Sequence, residues 1–147
     1  MRKVFVIIAG LLLAVVVIQF FLAAMGAFER PRTEDSFAPH RMLGWAVPIL
    51  ALLTTGAAAL ARAPGRLIGL AALPIALGVM QALIRVFADM LGVAGDTTSL
   101  AGAVVFGVHG VNGLIIMGAC RHVVVKAGEF AAAPRPARAG RAPSTTS

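Results

Sequence analysis

Residues 4–28 read VFVIIAGLLLAVVVIQFFLAAMGAF, and Gln19 is the one polar side chain among them. At 1.5 Å per residue such a helix is about 37 Å long, enough to cross about 30 Å of hydrocarbon. It is apolar on every face, as a helix solvated by lipid is and a surface helix of a soluble protein is not. Three more apolar runs follow, at residues 42–61, 67–88 and 100–120. Each holds roughly the 20 residues a span needs. A membrane barrel needs apolar and polar residues in alternation, and these runs do not alternate. The expected fold class is therefore all-α: an integral membrane four-helix up-down-up-down bundle over residues 1–126. Short connections make neighbouring spans antiparallel. Arg2-Lys3 ahead of the first run and the small residues Ala23, Ala24, Gly26 and Ala27 near its end imitate a signal peptide. The apolar core is longer than the 7–15 residues of such peptides, so it reads as a span.

Composition supports this class. Of the residues, 59% are hydrophobic and 13% charged, with a mean hydropathy of +0.91. The loops are too short to bury a core, which excludes a separate soluble domain. The net charge of +7 raises nucleic acid as a partner, but its distribution argues for a bilayer instead. Arg2, Lys3, Arg62, Arg66, Arg121, Lys126, Arg135, Arg138 and Arg141 fall on one side of a four-span topology. Arg30, Arg32, Arg41 and Arg85 fall on the other, beside Glu29, Glu34, Asp35, Asp89 and Asp96. Nine basic residues against four put both termini in the cytoplasm by the positive-inside rule. The partners expected are the lipid bilayer and other membrane protein subunits, not nucleic acid.

Connections carry their own signals. Ser36 is placed to cap a helix beginning near Phe37–Pro39. Ala63-Pro64-Gly65 makes a tight inner turn. Thr97, Thr98 or Ser99 caps span four after a loop with Gly92, Gly95 and Asp96. Pro48 and Pro74 lie inside spans two and three and are expected to kink them. Residues 127–147, rich in Ala, Pro, Arg, Ser and Thr, read as a disordered cytoplasmic tail. The lone Cys120 reads as a small apolar residue, with no Cys-x-x-Cys or Cys/His zinc pattern around it. No phosphate loop, Gly-x-Ser-x-Gly or His-Glu-x-x-His occurs, so no hydrolase or nucleotide enzyme is expected.

The rare polar residues within the spans are then the most informative positions, because a polar group in lipid is costly and has a partner or a task. Pro74, Gly78, Gln81 and Arg85 share a face of span three, and Gly102, Phe106, His109, Gly113 and Cys120 share one of span four. Counted inward, Arg85 lies about 5 Å deep, Gln81 and Gln19 about 10 Å, and His109 about 13 Å, with Asn112 one turn further. His40 and Arg41 lie at the outer boundary. Helix-to-helix hydrogen bonds of about 0.6 kcal/mol each are one account of Gln19, Gln81 and Asn112, and the other is that they line a cofactor site with Arg85 in the outer half, between spans two and four. A neutral His109 imidazole can bond to Gln19 or Gln81. It can also ligate a metal, and two imidazoles from different helices commonly hold haem iron. A b-type haem would take His40 and His109 as its ligands, with Arg41 and Arg85 on its propionates. Phe37, Trp45 and Phe106 would pack on the ring edge. His122, beside Arg121 at the inner boundary, reads as an interfacial residue. The estimated depth gap between His40 and His109 is large for a shared iron. A helical turn added before His40 would reduce it.

Two segments carry a resemblance: His40-Arg41-Met42-Leu43-Gly44 opening span two, and Val108-His109-Gly110-Val111-Asn112-Gly113-Leu114 in span four. A His-Arg pair opening the second helix and a His in the fourth resemble one four-helix half of haem A synthase, which implies His40 and His109 as axial ligands. The chain departs from that family in having one four-helix unit rather than two, and in lacking a carboxylate within its spans. Val4 to Lys126 also resembles a family of small four-span bacterial membrane proteins of unknown function. The shared features there are Gln19 with Phe20–Phe28, His40 with Gly44, Gln81, and His109 with Asn112. That likeness implies the bacterial plasma membrane. Three functions are thus open: haem binding for electron transfer or haem handling, a cofactor-free structural or assembly subunit, and a small transporter working through His109, Gln19, Gln81 and Arg85.

Overall fold

The computed structural model describes residues 1–31, 33–91 and 99–134. It is all helical, with no strand among the described residues. Helix α1 is Arg2–Phe28. A 3-10 turn, Glu34–Phe37, leads into α2, Ala38–Gly44. Then come α3, Ala46–Leu60; α4, Gly65–Met90; and α5, Leu100–Ala132. Among the described residues, four helical segments are long and apolar enough to cross a membrane: Arg2–Phe28, Asp35–Leu60, Gly65–Met90 and Leu100–Ala132.

The second segment is compound, and Pro48 explains why. Proline has no N–H to give the carbonyl four residues back, and its ring crowds that carbonyl. The carbonyl is Gly44's, and the helix breaks there. Trp45 sits in a turn with its N–H 3.4 Å from the Met42 oxygen, and α3 restarts at Ala46. The expected kink is thus found at Pro48, whereas α4 runs unbroken through Pro74.

The expected start of this span at residue 42 moves back to Ala38. Pro39 lies in the first turn, where a missing N–H costs little. Ser36 does not cap α2, as the sequence suggested. Its Oγ accepts the Thr33 N–H at 2.9 Å and closes a capping box around the 3-10 turn. That turn folds back on the end of α1 at Gly26, where a Cβ would lie 2.5 Å from the Ser36 carbonyl oxygen and 2.9 Å from the Phe37 ring.

Ser99 caps α5, accepting the Gly102 N–H at 3.0 Å. Thr97 and Thr98, with Arg32, Gly92, Gly95 and Asp96, lie outside the described residues. Helix α5 continues past its expected end at residue 120 and through the first residues expected to be a disordered tail. Nothing breaks the helix before Pro134, and two contacts hold its last turns. Lys126 pairs with Glu129 at 2.8 Å. Arg2 donates to the carbonyls of Phe130 at 3.0 Å and Ala133 at 2.7 Å, supplying both hydrogen bonds and charge at the helix C-terminus. Residues 135–147 lie outside the described residues.

Between α3 and α4, the Ala63 N–H reaches the Ala58 carbonyl and the Arg62 N–H that of Ala59, the paired bonds of a Schellman ending. Arg62 takes the left-handed position, φ 56°, that glycine usually fills.

Helices α1 and α4 each pack against both α3 and α5. The diagonals stay open: no pair of α carbons between α1 and α4, α3 and α5, or α2 and α5 comes within 8 Å among the described residues. Buried positions advance along α1 in steps of four and three, through Phe5, Ala9, Leu12, Val16 and Gln19. That spacing averages near 3.5, so one seam faces the neighbouring helices along the whole length. One core, around Phe5, Ala9, Ala58, Ala71, Val123 and Ala127, closes the end where α1 begins. A second, of Leu12, Val16, Ala51, Ile116 and Cys120, fills the middle, with Cys120 fully buried. Ile7, Phe21, Leu52, Val79, Val104 and Leu114 are among the large apolar side chains left facing outward.

Candidate functional site

Beyond the middle core the interior turns polar. His40, His109, Gln19, Gln81 and Asn112 gather there, brought from α2, α5, α1, α4 and α5. His40 stands in the first turn of α2, with its Nδ1 3.0 Å from the Gln19 backbone oxygen. A carbonyl only accepts, so Nδ1 carries a proton, and in the neutral imidazole the lone pair is then on Nε2. The bond also sets His40 level with Gln19. The depth gap counted from the sequence closes because α2 begins earlier than expected.

His109 reaches toward His40 across the open diagonal. The two ring centroids are 6.4 Å apart, with the planes at 60°. Phe106, one turn before His109, lies 5.8 Å away ring to ring. Gly107 and Gly110 are exposed, and a Cβ at either would meet nothing within 4 Å, so the backbone flanking His109 is bare.

An amide chain fixes His109 from behind. Asn112 Nδ2 donates to the Leu77 carbonyl at 3.0 Å and to Gln81 Oε1, and Gln81 Nε2 donates to the His109 carbonyl at 3.0 Å. These bonds tie α5 to α4 and leave the imidazole alone. The sequence suggested that Gln19 or Gln81 would bond to the ring; neither side chain does. His109 Nδ1 is buried without a hydrogen-bond partner, and so are both amide atoms of Gln19, a residue only 8% exposed. Gln19 Nε2 lies against Gly44, where a Cβ would stand 3.5 Å from it.

The model of a family of unknown function, DUF6220, matches residues 19–88. The matched stretch contains Gln19, His40, Gln81 and Arg85, and stops short of His109 and Asn112. No curated protein and no solved structure matches the chain.

The arginines stand at the rim. Arg85 was expected on the inward face of span three, but the buried position of that turn is Ile84, and Arg85 is exposed. Its Nε meets both Asp89 carboxylate oxygens at 2.9 Å, and its Cζ lies 6.0 Å from the Phe106 ring centroid. Arg41 is exposed beside His40 on α2. Trp45, 76% exposed, faces away from the interior, and Phe37 packs on Gly26, so of the three aromatic candidates Phe106 alone adjoins a histidine.

Two threonines were missed in the sequence. Thr54 is fully buried, with its hydroxyl returned to the Leu50 carbonyl of its own helix. The Thr55 hydroxyl lies 2.9 Å from the Ala51 carbonyl and 3.0 Å from that of Ala71, linking α3 to α4. The signal was available: Thr54 and Thr55 are the hydroxyl residues of an otherwise apolar run.

The donor set limits the chemistry. No group of three or more His, Cys, Asp or Glu is placed to hold a metal ion among the described residues. A bare zinc ion needs three or four protein ligands. A haem brings four equatorial nitrogens and asks the protein for two axial ones. With metal–nitrogen bonds of about 2.0 Å, two imidazoles on opposite sides of one metal have centroids roughly 6 Å apart. The His40 and His109 centroids, 6.4 Å apart, lie near that separation.

Proposed function

We propose that this chain is a four-span protein of the bacterial plasma membrane that holds a b-type haem between His40 and His109, as an electron carrier or a haem-handling protein. Its spans run alternately up and down, with both termini in the cytoplasm, as the nine-to-four division of basic residues favours.

The observation that carries the haem reading is the 6.4 Å separation of two imidazoles from helices whose backbones do not meet. Three features support it. The Gln19 carbonyl holds the proton on His40 Nδ1 and leaves Nε2 as the ligand, the arrangement by which metal-binding histidines are usually oriented. The Asn112–Gln81 chain steadies the backbone that presents His109. At the rim, Asp89 occupies only Nε of Arg85, so its two terminal nitrogens have donors to offer a propionate. Haem supplies a one-electron couple, and the protein tunes it through ligand identity and burial.

The visible spectrum of the full chain, purified in mild detergent after haem-replete expression, tests the reading. A Soret band with the spectrum of a six-coordinate haem is expected, lost in both His40→Ala and His109→Ala. A colourless, folded protein would overturn it and leave the cofactor-free assembly subunit in its place.

A further inference from the structure

At the opposite end of the bundle a cavity of about 560 Å³ opens between the start of α4 and the last turns of α5. Its floor is apolar: Leu67, Leu70 and the Phe130 ring. Arg66, His122 and Lys126 stand around it, with Glu129 as the one acidic side chain. Glu129 is spoken for, being paired with Lys126 at 2.8 Å. Arg2 is spoken for as well: its guanidinium lies 4.2 Å over the Phe130 ring and bonds to backbone carbonyls. Arg66 and His122 are exposed and make no hydrogen bond or ion pair among the described residues.

We infer that this cavity is a binding site for one anionic phospholipid. The argument rests on charge complementarity joined to an apolar wall at one height. Arg66 and His122 offer donors that no described residue takes up, and an arginine fork suits phosphate oxygens. Directly alongside, Leu67 and Leu70 continue the surface along α4 into the apolar span, so a bound phosphate would carry its acyl chains onto side chains that lipid already solvates. A free inorganic phosphate would use the cations and leave the floor uncovered. Basic pockets between membrane helices bind lipid headgroups on the same physical grounds. The site shares no residue with the histidine cluster and does not depend on the haem reading.

The test is the thermal stability of the full chain in a neutral detergent, titrated with phosphatidylglycerol, phosphatidylcholine or sodium phosphate. A saturable rise in Tm with phosphatidylglycerol alone is expected. Arg66→Gln should weaken its half-saturation about fivefold, and His122→Gln should weaken it by a smaller factor. Arg121→Gln removes an equal charge next to the site but does not line it, and should leave the titration unchanged. An equal response to phosphatidylcholine, an equal response to inorganic phosphate, or an equal loss in Arg121→Gln would each overturn the proposal. Lipid retained after gel filtration from a mixed extract is a second readout. The parent chain should keep phosphatidylglycerol over phosphatidylcholine, and no enrichment would count against the site.

Discussion

The two ends of this bundle solve the same packing problem in opposite ways. Where α1 begins and α5 ends, the interior is mostly alanine: Ala9, Ala57, Ala58, Ala71 and Ala127, wedged by Phe5 and Val123. Small side chains let helix backbones approach, and in lipid such close contact is a main source of association. At the far end the interior is built from amides and imidazoles. There α2 stands away from α5, and His109 Nδ1 and both amide atoms of Gln19 are buried without partners. A sealed end holds the helices together, so the other end can carry polar groups that do not satisfy one another. Stability is expected to reside in the first and ligand chemistry in the second, as unsatisfied polar atoms tend to mark functional sites.

The strongest test of that division is Phe5→Ala. Phe5 is fully buried at the sealed end. Its truncation should cost about 3–5 kcal/mol. The cost is measurable as a shift in unfolding by denaturing detergent against mild micelles, and any haem absorbance per folded molecule should stay unchanged. A loss below about 1 kcal/mol would mean that the alanine end is not what holds the bundle.

Gly26→Ala comes next. Its new methyl would meet the Ser36 carbonyl, which is backbone and cannot swing aside. Overpacking of this kind costs about 1–3 kcal/mol. Here the loss should come with displacement of the 3-10 turn and hence of His40 two residues into α2, so the visible spectrum should change along with stability. A variant with lowered stability and an unaltered spectrum would separate the turn from the site.

Asn112→Leu should cost less, about 0.6–1.7 kcal/mol for the bonds it gives up to Leu77 and Gln81. Because Gln81 passes the effect on to the His109 carbonyl, Asn112→Leu and Gln81→Leu together should cost less than the sum of the two. Additive losses would show that the amides act separately.

Much of this contrast could be read from the chain. The four helical segments long and apolar enough to cross a membrane follow from length and hydropathy alone, and the break in the second was foreshadowed by Pro48, because the missing N–H acts on a neighbour only four residues away. The gathering of Gln19, Gln81, His109 and Asn112 followed from helical spacing together with the cost of polar groups in lipid. What spacing could not give was register between helices. The 3-10 turn that moves the start of α2 back to Ala38 depends on Ser36 serving Thr33 and on Gly26 leaving room for it, contacts made between segments. The partners of each amide were also beyond reach. A face is fixed by a period of 3.6, but whether Gln81 meets a ring or a carbonyl turns on a rotation of a few tens of degrees. Arg85 shows the same limit: one position from the buried Ile84, it lands at the rim.

The smallest expected effect is the most discriminating. Gln19→Met keeps roughly the same volume and removes two buried polar atoms that have no partner. Replacing an unsatisfied buried group by an apolar one of like shape is near neutral or stabilising, so the change should lie between zero and a gain of about 1 kcal/mol. Its sign is opposite to that for Asn112→Leu, although both residues are buried amides of the same cluster. The His40 anchor should survive, because it is the Gln19 backbone, not its side chain, that accepts from Nδ1. If Gln19→Met instead costs more than about 1 kcal/mol, its carboxamide is bonded in the working protein to something outside the described residues. Repeating the measurement on colourless protein then separates the candidates. A cost that vanishes without haem assigns the bond to the haem-bound state, and a cost that persists assigns it to a partner present without haem.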